Sequence, residues 1–145
     1  MKWRKLNINL YTNFLQSWTY WDYWPFWNPS TGEPNTDFQS FLSRPYPKAT
    51  SGTPIKLSFD YETKEFNYEF NLDTSIDQPT EIFIPPLTYS SQAQLDIDLS
   101  DSLSWNLSPD DPNVIFVRPN VKQLENPVYV RFRPAVQLVK SVGRK

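Results

Sequence analysis

The sequence predicts a mainly β protein, an antiparallel β-sandwich of seven or eight strands preceded by an aromatic arm with one strand and a short helix. Three observations predict this class. Short runs of alternating apolar and polar residues follow Pro54, and clusters of Pro, Asp, Asn and Ser separate these runs. The 14 prolines against three glycines are typical of rigid turns between many short strands. A length of 145 residues suits one domain with an attached segment.

The aromatic arm comes first in the chain. Seven of the ten residues from 18 to 27 are aromatic, and tryptophan recurs at every third position: Trp18, Trp21, Trp24 and Trp27. A strand is expected over Leu15–Tyr23, and its alternation would place aromatic rings on both faces. Two apolar faces are typical of a strand buried inside a larger α/β body. The residues alone leave two interpretations open, which are core packing and core packing combined with a ligand platform at the exposed end.

A short helix is expected next, from Thr36 or Asp37 to Ser43, after a turn-prone segment over residues 25–34. Asn35 or Thr36 is a suitable N-cap. Three apolar residues would share one helix face at spacings of three and four: Phe38, Phe41 and Leu42. The following Arg-Pro-Tyr-Pro over residues 44–47 cannot continue a helix, so we expect it to form a rigid join.

The sandwich strands follow from Pro54 onward. Apolar residues at alternate positions predict a hairpin with one buried face, made of Ile55, Leu57, Phe59 and Tyr61, a turn over residues 62–64, and then Phe66, Tyr68, Phe70 and Leu72. Five further strands are predicted at Thr80–Ile84, Gln94–Leu99, Leu103–Leu107, Val114–Arg118 and Val128–Arg133. The spacing of these strands fits two packed antiparallel sheets.

The composition excludes several classes of function. The chain has no histidine and no cysteine, which removes disulfides, thiol catalysis, Ser-His-Asp hydrolysis and the usual zinc sites. A formal net charge of −2 gives no support to nucleic-acid binding. We expect no metal and no cofactor. Asp96, Asp98 and Asp101 carry oxygen ligands that a calcium ion could share, but alternation with apolar residues favours a solvated outer strand face for the first two.

The other polar features point to ordinary surface chemistry. Carboxylates on the first hairpin alternate with its apolar residues, so they are expected on the solvated face, and no catalytic pair is evident: Asp60, Glu62, Glu65 and Glu69. Asn106-Leu-Ser108 matches the N-glycosylation pattern, although Pro109 weakens the match. No signal peptide and no transmembrane helix is evident, so the compartment stays open between secreted, lysosomal and cytoplasmic.

Two motifs resemble a known family. Ser43-Arg-Pro-Tyr-Pro47 with Gly52-Thr-Pro54, and then Pro79-Thr-Glu-Ile-Phe-Ile-Pro-Pro86, are similar to endoglycoceramidase-like enzymes of glycoside hydrolase family five. That family includes glycosidases acting on glucosylceramide, other glycosphingolipids and sterol glucosides. The resemblance covers roughly residues 12–133, and it implies the end of a (β/α)₈ barrel followed by a C-terminal β-sandwich.

The resemblance also implies roles for the aromatic arm. Ser17-Trp-Thr-Tyr-Trp-Asp-Tyr23 is similar to the last barrel strand of the family, and the short helix is similar to its last helix. Trp21 would then form the floor of the sugar subsite beside the scissile bond, and Trp18 would pack within the barrel. Trp24 and Trp27 would line the rim. The expected substrate-binding residues are Trp21, Tyr23, Trp24 and Trp27.

The family's two catalytic glutamates would lie upstream of residue 1, so the resemblance implies a glycosidase fragment with no catalytic residue and no activity alone. It divides the chain into a barrel remnant (1–47), a sandwich domain (48–136) and a basic tail (137–145). The expected partners are a glycolipid or carbohydrate, the missing catalytic barrel and, as a further candidate, a membrane surface. No nucleic acid is expected.

Two alternatives remain open from the sequence. The chain could be a stand-alone carbohydrate- or lipid-surface-binding module, in which the arm's tryptophans stack on sugars or insert at a bilayer interface. It could also be a protein–protein module that docks onto a separate barrel chain, because an exposed aromatic patch of this size otherwise promotes aggregation.

Overall fold

A computed structural model of the chain describes residue 15 and residues 26–89, 95–120 and 125–135. The elements in these ranges are, in chain order, β1 (Trp27–Asn28), β2 (Glu33–Pro34), α1 (Thr36–Leu42), β3 (Tyr46–Ala49), β4 (Gly52–Phe59), β5 (Phe66–Leu72), β6 (Thr80–Phe83), β7 (Leu95–Leu99), β8 (Leu103–Leu107), β9 (Val114–Pro119) and β10 (Val128–Pro134).

Eight of these strands form two antiparallel sheets of four. The first sheet has the order β4-β5-β10-β7, and the second has the order β3-β6-β9-β8. Strands β1 and β2 form a separate two-stranded hairpin before the helix. Neither four-stranded sheet closes into a barrel in the described ranges. The predicted antiparallel β-sandwich is therefore confirmed, with eight strands in the sandwich itself.

The core between the two sheets is aromatic. Phe66, Tyr68 and Phe70 of β5 are fully buried, as their alternation predicts. The Phe66 ring stacks on Phe132 of β10 with 4.6 Å between centroids, and Tyr68 stacks on Phe70 at 5.1 Å. Such pairs stabilise the core beyond the area they bury. The second sheet contributes mainly branched aliphatic residues to the same cluster: Ile82, Ile115 and Val117.

One residue of the predicted hairpin face is placed differently. Ile55 is expected on the buried face of β4, but its side chain is 43% exposed. The pairing of β4 with β5 shifts register between Pro54 and Lys56, so Ile55 has no partner across the ladder. An unpaired extra residue breaks the alternation of faces locally, and this break turns Ile55 out of the core.

Two strand pairs lie where the sequence predicts a join and a turn. The expected rigid join at residues 44–47 runs into β3, which pairs with β6 and places Tyr46 opposite Phe83. Pro47 is tolerated because β3 is an edge strand with a register shift at this point. The turn-prone segment over residues 25–34 contains the hairpin β1–β2. Because both segments contain proline, their sequences lack the alternation of apolar and polar residues that predicts a strand.

The predicted helix is confirmed as α1, with Asn35 as its N-cap. The Asn35 side chain accepts a hydrogen bond from the Phe38 amide at 3.2 Å. Of the predicted strand Leu15–Tyr23, the structure describes only Leu15, which lies in a turn with a φ of +53° and not in an extended conformation. The rest of that predicted strand, including Trp18, lies outside the described residues.

Side-chain hydrogen bonds close the ends of both sheets. The Asn126 side-chain nitrogen donates to the Leu72 carbonyl at 3.1 Å, and the Asn126 side-chain oxygen accepts from the Leu72 backbone amide at 2.9 Å. The side chain thus makes the two hydrogen bonds that the backbone of a neighbouring strand would make to β5. Thr80 is fully buried, and its hydroxyl oxygen accepts from the Ser51 amide at 3.0 Å. Both contacts satisfy backbone groups that would otherwise lack partners.

Candidate functional site

The hairpin β1–β2 and helix α1 form one hydrogen-bonded unit. The Phe26 carbonyl accepts the Asn35 amide at 2.9 Å and the Gln39 side-chain amide at 3.3 Å. The Phe26 ring meets Phe38 of α1 edge to face at 4.9 Å, and Phe38 is buried. These contacts hold the strand that carries Trp27 against the helix.

The turn between β1 and β2 is built from local hydrogen bonds. The Asn28 side-chain oxygen accepts from the Ser30 amide at 3.0 Å, and its carbonyl accepts from the Gly32 amide at 2.9 Å. Gly32 has a φ of +69°, a conformation that glycine adopts without steric cost. The turn therefore places Trp27 opposite Pro34 in the hairpin.

Trp27 lies at the edge of an open depression of about 520 Å³. The Trp27 side chain is 42% exposed. The remaining lining residues are mostly polar: Asn28, Pro29, Thr31, Glu33, Pro34, Asn35, Thr36 and Asp37. An exposed indole beside several amide, hydroxyl and carboxylate groups is suited to a ligand with an apolar face and many hydroxyls.

The structure locates one of the four sequence-predicted site residues. Trp27 is described and exposed, whereas Trp21, Tyr23 and Trp24 lie outside the described residues. The depression adds Glu33 and Asp37, which the sequence did not mark as site residues. The sequence gives little indication of these two residues, because they come near Trp27 only through the pairing of Trp27 with Pro34 across the turn.

The depression carries negative charge. Glu33 and Asp37 line it, and none of the lining residues that the structure describes is lysine or arginine. The salt bridges found within the described ranges lie elsewhere, between Lys48 and Glu81 at 3.7 Å and between Arg133 and Asp96 at 3.1 Å. A ligand at this site would therefore meet two carboxylates with no described cation beside them.

A second depression, of about 230 Å³, lies on the outer face of the first sheet. It is lined by charged residues of both signs: Glu65, Asp96, Asp98, Arg131 and Arg133, together with Phe132. Arg133 donates two hydrogen bonds to one oxygen of Asp96, and Asp96 and Asp98 are exposed, as predicted. The Arg131 guanidinium lies 4.3 Å from the centre of the Tyr129 ring. One ion pair, between Arg133 and Asp96, therefore lies on this exposed face.

Two carboxylates of the first hairpin, those of Asp60 and Glu65, have structural partners. Asp60 accepts hydrogen bonds from the amides of Glu62 at 2.7 Å and Thr63 at 3.0 Å. These backbone bonds, that of Thr63 foremost, lower the pKa of Asp60 below its usual value. Glu65 accepts a bond from the Asn67 side chain at 3.1 Å. A lowered pKa is the opposite of what a general acid requires, so Asp60 serves the turn.

The described ranges contain no group of three or more acidic side chains arranged to hold a metal ion. No helix within the part of the chain that the structure describes has the length and apolar character needed to span a membrane. Asn106 of the glycosylation pattern lies on β8 and is exposed.

The sequence matches the family described as the glycoside hydrolase family 5 C-terminal domain over residues 44–131. This range agrees closely with the sandwich, whose strands run from Tyr46 to Pro134. A curated relative, endoglycoceramidase I of Rhodococcus hoagii (strain 103S), is 37% identical over 57 residues, which cover 39% of this chain and 11% of that protein.

Solved structures with the same fold include endo-glycoceramidase II from Rhodococcus sp. in a five-membered iminocyclitol complex, with a TM-score of 0.68 and 19% identity. A second structure of that protein, in a ganglioside GM3 complex, also has a TM-score of 0.68. The first covers 93% of this chain, but the chain spans only 30% of that structure. Cryptococcus neoformans sterylglucosidase 1 matches over 66% of this chain with a TM-score of 0.53 and 20% identity, and the chain spans 14% of it.

Proposed function

Because the chain belongs to the family of glycoside hydrolase family 5 C-terminal domains, we propose that it functions as the C-terminal domain of a glycosidase acting on glycolipids and hydrolyses no glycoside alone. The observation that carries the proposal is the match over residues 44–131, which agrees with the limits of the sandwich. The names of the relatives, endoglycoceramidase and sterylglucosidase, support a glycolipid as the substrate of the whole enzyme.

The proposal assigns catalysis to a (β/α)₈ barrel outside residues 1–145. A retaining glycosidase needs two carboxyl groups about 5–5.5 Å apart in a cleft, one of them with a raised pKa. In the described ranges, the pKa values of Asp60 and Asp73 are both shifted down by hydrogen bonds from their turns. Neither Asp60 nor Asp73 therefore has the raised pKa that the general acid needs. The division at residue 47 belongs to the same proposal.

Incubation of the full chain with fluorescent glucosylceramide, lactosylceramide and sterol glucoside tests the proposal. We expect no release of free sugar, because the proposal places both carboxyl groups that would protonate the leaving group and attack the sugar in the barrel. Glu33→Gln, Glu65→Gln and Glu69→Gln variants serve as controls for contamination. Hydrolysis by the purified chain that disappears in one of these variants would place a catalytic carboxylate in this chain and overturn the proposal.

The aromatic arm is proposed to meet the sugar in that enzyme, with Trp21 at the floor of the subsite and Tyr23, Trp24 and Trp27 towards its rim. The exposure of Trp27 beside a polar depression supports this role for one of the four. The proposed partners are the glycolipid and the catalytic barrel.

A stand-alone module that binds carbohydrate or a lipid surface is the second candidate, and the exposed Trp27 favours it. Tryptophan at a bilayer interface shifts its fluorescence to the blue as water leaves the indole. A blue shift on mixing the chain with lactosylceramide vesicles, lost in Trp24→Ala and Trp27→Ala, would support this candidate. An unchanged spectrum would count against it and leave the domain role.

A further inference from the structure

We propose that the depression beside Trp27 is a subsite for an uncharged sugar ring and that its carboxylates, Glu33 and Asp37, select against acidic sugars. This inference rests on the proposed function, since it concerns how the domain would contact a glycolipid headgroup. It adds a charge preference, which neither the family match nor the aromatic arm supplies.

Exposure alone does not distinguish Trp27 from Trp105, but the residues around them do. Trp27 and Trp105 are nearly equally exposed, at 42% and 40%. Trp105 lies on β8 at alternate positions with Leu103 and Leu107, an apolar neighbourhood at a sheet edge. Most of the other described residues that line the depression with Trp27 carry amide, hydroxyl or carboxylate groups, which can fix the orientation of a sugar.

The polar groups of the depression match a hydroxyl-rich ligand. The side-chain oxygens of Asn28 and Asn35 accept hydrogen bonds from the backbone amides of Ser30 and Phe38. The side-chain nitrogens of the two asparagines are donors that a ligand can use. The carboxylates of Glu33 and Asp37 supply acceptors. A sugar hydroxyl is both donor and acceptor and can use both kinds of group.

The site is held in place before any ligand arrives. The Phe26 carbonyl accepts two hydrogen bonds from the helix side, from Asn35 and Gln39, and the Phe26 ring packs on the buried Phe38. Trp27 follows Phe26 directly, so its backbone is fixed by these contacts. A fixed aromatic surface costs less conformational entropy on binding than a mobile one.

The charge of the depression sets the preference. At roughly 6 Å in water, each carboxylate lowers the affinity for a second negative charge by about threefold. Two carboxylates, with no lysine or arginine among the described lining residues, therefore give a total preference of about three- to tenfold for a neutral ring over its uronic acid. The preference should shrink as salt screens the charges.

Titration of the full chain with a matched pair of sugars tests the inference. The probes are methyl β-D-glucopyranoside and methyl β-D-glucopyranosiduronate, which differ by one carboxylate, and the readout is the indole N–H resonances of the ¹⁵N-labelled chain at low salt. The Trp27→Phe and Trp105→Phe variants assign the two resonances. We expect the glucoside to shift the Trp27 resonance and leave Trp105 unmoved, with binding of the uronate weaker by about three- to tenfold.

The double variant Glu33→Gln with Asp37→Asn should bring the two affinities together while the Trp27 shift persists, because amides keep hydrogen-bonding capacity without charge. The dispersion of its amide spectrum reports whether it is folded. A Trp27 resonance that neither sugar moves, or a uronate that binds the native chain as well as the glucoside, would overturn the inference. Either result leaves the turnover test unaffected, since that test reports hydrolysis and this one reports contact at Trp27.

Discussion

At Gly52 the backbone of β4 has a φ of +145°, and an added Cβ atom would lie 1.9 Å from the carbonyl oxygen of Asn71. Gly32 also has a positive φ, +69°, but nothing lies within 4 Å of its Cβ position. The two glycines share an unusual backbone and differ in the space beside it. A side chain at Gly52 would therefore meet both backbone strain and a steric clash, whereas a side chain at Gly32 would meet backbone strain alone.

We predict that Gly52→Ala lowers the free energy of unfolding by about 3 kcal/mol or more, since backbone strain and a clash with a strand carbonyl act together. Gly32→Ala is the matched control and should cost only about 1 kcal/mol for the left-handed conformation. Urea denaturation followed by circular dichroism measures both. Equal losses in the two variants would mean that β4 moves away from β5 at little cost.

The residues of the candidate site could be predicted only in part from the sequence. The family resemblance implied that Trp27 lines the rim of a binding surface, and the structure shows that Trp27 is exposed. Glu33 and Asp37 were not expected there, because each is an isolated acidic residue, Glu33 in the turn-prone segment and Asp37 in the first turn of the helix. Their position beside Trp27 depends on a short hairpin that has only two residues in each strand.

At the element scale, the regular strands follow from alternation of apolar residues, and the exceptions follow from proline. β5 has four inward residues at alternate positions with no proline, and its limits agree with prediction. β3 contains Pro47, and β2 ends at Pro34, so neither has a strand pattern in its sequence. Pairing with a neighbour makes both of them strands, and pairing is not encoded in local propensity.

Helix α1 gives a prediction at this scale. Asn35→Ala removes the N-cap oxygen that the Phe38 amide bonds to, and should destabilise the helix by about 1 kcal/mol. We expect hydrogen exchange to speed up at the amides of Gln39 and Ser43, whose partners belong to the cap and helix, and to stay unchanged in β5. Asn35→Asp, which keeps an acceptor, is the control. Faster exchange in β5 would show that the helix and sandwich unfold as one unit.

At the scale of the whole molecule, buried tyrosines determine how stability depends on pH. Burial raises the pKa of the Tyr61, Tyr68 and Tyr89 hydroxyls above the usual value of about 10. The folded state therefore holds these phenolic protons more tightly than the unfolded chain. Their contribution is fully present below pH 10 and is lost as the pH rises from about 10 towards the folded-state pKa values.

We predict a free energy of unfolding that falls above pH 10 by up to about 1.4 kcal/mol per pH unit for each buried tyrosine. Tyr89→Phe should make this decline shallower, although it also removes the hydrogen bond to the Lys64 carbonyl and lowers the stability at neutral pH. Tyr46→Phe, at an exposed position, is the control. Urea unfolding at several pH values measures the slope, and an identical slope in native and Tyr89→Phe proteins would contradict the prediction.

The assembly of the chain is also a property of the whole molecule. Docking onto a separate barrel chain remains the third proposal from the sequence. An exposed aromatic side chain on the second sheet supports this proposal. Tyr46, on the edge strand β3, is exposed, and its ring centroid lies 5.3 Å from that of Phe83. Gel filtration that returns a well-behaved monomer would count against it.

The sequence by itself determined the fold class, the helix, most strand limits and the family resemblance, because alternation, capping and motif residues are local properties of the chain. It also excluded histidine and cysteine chemistry outright. Only the tertiary structure decided the order of the strands in the two sheets, the outward position of Ile55 and the neighbours of Trp27. Those features depend on which segments pair and where the pairing slips by one residue, and such contacts leave no periodic signal in a single sequence.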